Sequence, residues 1–128
     1  MHWTLNEVLL MGQTFEDLEI WKRGCRLAVA TYEVLADAKD WGLRDQMQRA
    51  AVSVPSNIAE GYERTPKDFI RFLVIAKGSC AELRTQTYIA ERVKLLPPDQ
   101  CKPLIDESKQ LSRMIQALIN NRKQSLIT

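Results

Sequence analysis

The chain has 128 residues, 45% of them apolar and 27% charged, with only 5 glycines and 5 prolines. These values describe one globular domain; they exclude a disordered chain and leave no room for a multi-domain enzyme. With 18 basic and 16 acidic side chains the formal net charge is +2, which permits nucleic-acid binding through counterion release without demanding it.

In chain order, residues 1–13, MHWTLNEVLLMGQ, read as a flexible N-terminal extension outside the fold. The apolar run Val8 to Met11 is short and follows Asn6 and Glu7, unlike a signal peptide, and Met11 offers a second start site beside Met1. No stretch approaches the roughly 20 apolar residues of a membrane span, so a cytoplasmic protein without membrane contact is expected. The one histidine, His2, lies in this extension. Cys25, Cys80 and Cys101 lack CxxC spacing and read as reduced thiols packed as small hydrophobes, so neither metal nor cofactor is expected.

Thr14 followed by Asp17 is an acidic variant of a capping box. Beyond it Leu18, Trp21, Cys25, Ala28, Tyr32 and Leu35 recur at steps of three and four, which predicts a first helix with this row as its seam. It fades after Ala38, with Gly42 as the stop. A second helix, from about Leu43 to Tyr62, carries Met47, Ala50, Ala51, Val54 and Ile58 on one face and Pro55 in its interior. Thr65-Pro66 with Asp68 is a hydroxyl cap followed by proline at the first helical position, the start of a third helix. Its seam is Phe69, Leu73, Ala76, Cys80, Leu83, Thr87 and Ala90. A second row, Ile70, Val74, Ala81 and Tyr88, makes the apolar surface wider than two bundle neighbours require. Pro97-Pro98 end this helix and open a fourth, with Cys101, Leu104, Ser108, Leu111, Ile115 and Leu118 flanked by Ile105 and Ile119. It reaches about Lys123 and leaves 124–128 as a tail. No alternating strand pattern occurs. The expected fold is all-α: an antiparallel up-down-up-down four-helix bundle over residues 14–123, its second helix kinked at Pro55.

Beside that proline lie Ser53, Ser56, Asn57 and Glu60. A serine nucleophile needs a placed base; the bundle has no histidine, no lysine is near in sequence, and Glu60 has no second acid on its stripe. No catalytic residue is assigned and no enzymatic activity is expected. Two roles remain for the cluster: satisfying the backbone groups that Pro55 frees, or making contact with another subunit or a partner. Small residues, Ala50, Ala51, Ala59 and Gly61 on the second helix with Gly78, Ser79 and Ala81 on the third, allow close approach of helix backbones. The candidate nucleic-acid contacts are Arg44, Arg49, Arg64, Lys67, Arg71 and Lys77, of which Arg64, Lys67 and Arg71 are spaced to form one local patch. Asp45, Glu60, Glu63 and Asp68 are interleaved with them, and ordinary solvated helix faces with i,i+4 pairs have the same pattern.

The segments FEDLEIWKRGCRLA, QMQRAAVSVPSNIAEGYER and DFIRFLVIAKGSCAELRTQ resemble, in order and spacing, the four-helix bundle proteins of the 23S ribosomal RNA intervening-sequence family. The similarity runs from about Phe15 to Arg122, and a proline inside RAAVSVPSNIAEG has no general bundle rationale. The resemblance implies an antiparallel bundle that assembles as a homopentamer, found in bacteria both within large-subunit ribosomal RNA genes and as free-standing genes. A related group, the accessory variability determinants of diversity-generating retroelements, shares the bundle and ring and binds nucleic acid and a reverse transcriptase. The resulting expectation is a non-enzymatic, homo-oligomeric binding or scaffold module. Its partner would be RNA, or an RNA-processing or reverse-transcriptase protein, contacted multivalently from one face of a ring. The alternative is a protein-directed adaptor or structural oligomer without nucleic acid.

Overall fold

A computed structural model of the chain describes residues 13–127. The expectations about His2, about Met1 or Met11 as the start, and about the extension up to residue 12 lie outside the described residues. A 3-10 turn, Phe15–Asp17, leads into four helices: α1 (Glu19–Val34), α2 (Trp41–Tyr62), α3 (Pro66–Arg92) and α4 (Pro98–Ile127). Helix α2 packs between α1 and α3, and α4 closes the square by packing on both α3 and α1. The backbones of diagonal pairs do not approach one another closely among the described residues, and side chains of all four helices share one core. Short connections between neighbours make the arrangement an antiparallel bundle.

Local chemistry explains most helix ends. Thr14 N–H donates to the Asp17 carboxylate at 2.9 Å, so the capping pair forms, but on the 3-10 turn ahead of α1. Helix α1 ends at Val34, four residues short of the expected limit. Gly42 is not its stop: Asp40 caps α2, accepting from Leu43 N–H at 3.1 Å, and places Gly42 within the first turn of α2. Thr65 caps α3 as its sequence suggests, accepting from Asp68 N–H at 3.2 Å with Pro66 next. Helix α3 closes in a Schellman arrangement, Leu95 N–H to Ala90 O at 2.8 Å and Lys94 N–H to Glu91 O at 3.1 Å. The left-handed position in it is held by Lys94, with φ of 61°, where glycine is the usual occupant. Helix α4 continues through residues 124–127, which the sequence pattern set apart as a tail.

The core is built from Leu35, Met47, Val54, Ile58, Leu73, Leu83, Leu111 and Ile115, all fully buried. On α3 the whole expected seam, Phe69 to Ala90, is buried. On α4 the seam also holds, with Ile119 buried in preference to the half-buried Leu118. Ser108 sits in it because its hydroxyl donates back to Ile105 O at 2.8 Å.

Helix α1 is rotated relative to its expected seam. Its buried row is Ile20, Gly24, Leu27, Ala28 and Thr31, whereas Trp21 and Cys25 are half-buried and Tyr32 is 47% exposed. The reason lies on α2. Pro55 is buried against Gly24, where an added β-carbon would come within 3.3 Å of the proline Cβ. A small residue must face the ring, and that turns the larger side chains outward. Thr31 is tolerated inside because its hydroxyl donates to Leu27 O at 2.8 Å. A similar close approach occurs between α2 and α3, where a β-carbon at Gly61 would lie 2.5 Å from Phe72 Cβ.

Candidate nucleic-acid interface

The residues around Pro55 separate into different roles. Helix α2 runs unbroken through the proline. Asn57 Nδ2 donates to Ser53 O at 2.8 Å and to Ser53 Oγ at 2.9 Å, and Ser53 Oγ is 2.9 Å from Ser79 Oγ on α3. None of these bonds reaches the Ala51 carbonyl, the acceptor that Pro55 leaves without its helical donor. The group therefore ties α2 to α3 and leaves the freed carbonyl alone. Ser56 is exposed and lines an apolar groove between α1 and α2 with Trp21, Cys25, Val29, Val52 and Pro55. Glu60 is in solvent, paired with Arg64 at 3.0 Å.

The six basic residues named from sequence do not form one surface. Arg44 lies over the exposed Trp41 ring at 4.9 Å and donates to Ala38 O at 3.4 Å. Arg49 is exposed beside Tyr32 and Asp45 on the α1–α2 side. Arg64 and Arg71 do meet: both guanidinium carbons stand 4.9 Å from the Phe72 ring centroid. Each also holds an acid, Glu60 at 3.0 Å and Asp68 at 3.4 Å, so much of this patch is internally neutralised. Lys67 is exposed at the start of α3. Lys77 points away from the others, toward α4, and donates to Gln116 Oε1 at 2.7 Å.

Lys77 belongs to a constellation that sequence reading missed. Between α3 and α4 a groove of about 480 Å³ is lined by Lys77, Arg84, Lys109, Ser112, Arg113 and Gln116, four cations and no acid. None of the four makes an ion pair with a carboxylate of the described residues. Arg113 is steadied by a neutral amide, donating to Gln110 Oε1 at 3.2 Å. The acids of the middle of α4 pair outside the groove, Asp106 with Lys102 at 2.9 Å and Glu107 with Arg23 of α1, although Asp106 also feels the charge of Lys109. The Glu107 pair is bidentate, Arg23 Nε–Oε1 at 2.7 Å and Nη2–Oε2 at 2.8 Å. It raises the Arg23 pKa above its ordinary value, the hydrogen bond to Glu107 outweighing partial burial. Glu107 is thereby drawn to the α1 side, away from the groove. The sequence signal was present only in halves, Lys77 with Arg84 two turns apart and Lys109 with Arg113 one turn apart; the register between α3 and α4 joins them.

Apolar surface is left uncovered on two sides. Ile75 and Ile89 on α3 and Val93 at its C-terminal cap are exposed, and of the second row Ala81, Val74 and Tyr88 face solvent while Ile70 is half-buried. On the α1–α2 side, Val29, Tyr32 and Val52 are exposed beside the Pro55 groove. Cys80 and Cys101 are buried and Cys25 half-buried, all as free thiols. Burial pushes the Cys80 thiol up to about 12 and raises Cys25 and Cys101 as well, so these sulfurs stay protonated at neutral pH.

Fold and surface define an antiparallel four-helix bundle that carries a cation-lined groove. The chain belongs to the 23S rRNA-intervening sequence protein family, whose sequence profile matches residues 16–117. Among solved structures it is similar to a protein of unknown function from the S23 ribosomal protein family of Bacteroides thetaiotaomicron VPI-5482. The two are 19% identical with a TM-score of 0.74, over 78% of this chain and 97% of that one. No curated protein matches. No helix among the described residues is long and apolar enough to cross a membrane.

Proposed function

We propose that this protein is a non-enzymatic, homo-oligomeric scaffold, assembled as a pentamer in the cytoplasm, that binds RNA or an RNA-processing or reverse-transcriptase partner. The observation that carries this reading is the segregation of its surface: Ile75 and Ile89 uncovered on α3, Val29, Tyr32 and Val52 uncovered on the α1–α2 side, and, on the α4 side of α3, a groove lined by cations without acids. Exposed apolar patches of this kind mark interaction surfaces. The two patches are unlike and lie on different sides of the bundle, so contact of one with the other is heterologous, and a heterologous contact that closes generates a ring. Repetition of this cationic groove around a ring raises its effective affinity for a polyanion. The Ser53 hydroxyl is bonded to Ser79 and Asn57, neither of which is a general base, so it is read as a tie between α2 and α3 and not as a nucleophile.

Two measurements test the proposal. Sedimentation of the protein should give an oligomer that Ile75→Lys with Ile89→Lys converts to monomer while helicity is kept; an unchanged mass refutes assembly through the α3 face. Binding to a structured RNA should be present at low salt and fall steeply as salt rises. Its absence from the intact oligomer refutes the RNA reading. The apolar groove beside Pro55, about 410 Å³ in volume, then favours the protein-directed adaptor as the second reading.

A further inference from the structure

We infer that the α3–α4 groove is a single-strand site: it takes the phosphate backbone of a single-stranded nucleic acid between its cations and stacks a base on Tyr88. This rests on the nucleic-acid reading above and specifies where, and in which form, the ligand binds. Lys77, Ala81, Arg84 and Tyr88 follow one another at steps of four, three and four, so they share one stripe of α3. The stripe borders α4, because Lys77 reaches Gln116 there. Lys109 and Arg113 face it from the opposite wall. Packed helices lie about 8–10 Å apart, so cations on both walls can reach one sugar-phosphate backbone lying between them. Eleven residues from Lys77 to Tyr88 span about 16 Å of helix, on the order of five nucleotides at a stacked rise of about 3.4 Å.

Tyr88 selects the form of nucleic acid. It is 45% exposed on the stripe of the cations, next to Pro97 and Pro98 of the α3–α4 connection, where the one acid, Glu91, is accompanied by Arg92 and Lys94. An exposed aromatic ring beside a cationic track offers a face to an unpaired base, whereas the bases of a duplex are already stacked on one another. Ala81, between Lys77 and Arg84, adds no bulk to the track. The neutral amides of Gln116 and Gln110 hold Lys77 and Arg113 without cancelling their charge.

The test uses the full chain, with fluorescence anisotropy on a labelled single-stranded RNA of about 12 nucleotides and on the same strand annealed to its complement. Arg84→Glu with Lys109→Glu should weaken single-strand binding by more than about 30-fold, because two phosphate contacts become repulsions. Tyr88→Ala should weaken single-strand binding about tenfold and leave duplex binding unchanged, the loss of one stacked base. Arg64→Glu with Arg71→Glu, away from the groove, should have a small effect. Equal affinity for strand and duplex with no effect of Tyr88→Ala overturns the single-strand assignment while nucleic-acid binding stands. Loss through Arg64 and Arg71 with the groove variants intact overturns the location. No binding of either RNA at low salt overturns the nucleic-acid reading and this inference together. Circular dichroism on each variant separates these outcomes from unfolding.

Discussion

Replacing glycine by alanine at two helical positions should have opposite effects, and the pair tests the packing of α2 on α3. At Gly61 a β-carbon would stand 2.5 Å from Phe72 Cβ and 3.1 Å from its Cγ. Carbon atoms prefer about 3.5–4.0 Å, so roughly 1 Å must be recovered. Phe72 Cβ is bonded to the backbone and cannot rotate away; α2 and α3 must part, just where Tyr62 packs edge-on against Phe69 at 5.6 Å. Overpacking of this kind costs about 1–3 kcal/mol, and the atom involved places Gly61→Ala at the upper end. Alanine returns about 1 kcal/mol through helix propensity. The net expectation is about 2 kcal/mol of destabilisation, a fall in Tm of roughly 8 °C for a domain of this size. At Gly78 a β-carbon meets nothing beyond its own helical turn within 4 Å, so Gly78→Ala keeps the propensity gain and stabilises by about 1 kcal/mol. Denaturant unfolding of both variants with unchanged m-values measures the difference. A neutral or stabilising Gly61→Ala refutes the argument, because it means that the two helices are not held at this separation.

Two further outcomes follow from local geometry and burial. Lys94→Gly removes a side chain from a left-handed backbone position, and the denaturation midpoint should rise by the equivalent of about 1 kcal/mol; no rise shows that the α3 terminus carries no strain. The Cys80 thiol has its folded pKa raised to about 12 from an unfolded value of 9.0, so its contribution to stability is complete below pH 9 and is lost as pH climbs toward 12. The slope is at most about 1.4 kcal/mol per pH unit. Stability measured from pH 8 to 11 should therefore fall less steeply in Cys80→Ala than in the native chain, and parallel curves contradict the burial of this thiol.

Helix faces and the strongest cap were legible in the sequence where a single helix carried the information, whereas the Asp40 cap and the ends of α1 and α4 were misplaced by a few residues. The α3 seam and its Thr65-Pro66 cap depend on 3.6-residue periodicity and on a side chain reaching its own backbone, which one segment specifies alone. The same holds for the four apolar runs and hence for an all-helical bundle. What depended on neighbours was not legible. The largest apolar residues of α1 looked like its seam, but the proline ring of α2 demanded Gly24 opposite it and turned Trp21, Cys25 and Tyr32 aside. The Arg64–Arg71 pair was legible as spacing, yet its neutralisation by Glu60 and Asp68 rests on side-chain conformations. Lys77, Arg84, Lys109 and Arg113 come from two helices, and neither helix alone specifies the register that brings them to one groove. Periodicity therefore determined that this chain forms a four-helix bundle. Tertiary structure decided which faces turn inward and where positive charge collects without acids, because rotation and register are set by how each helix fits against the next.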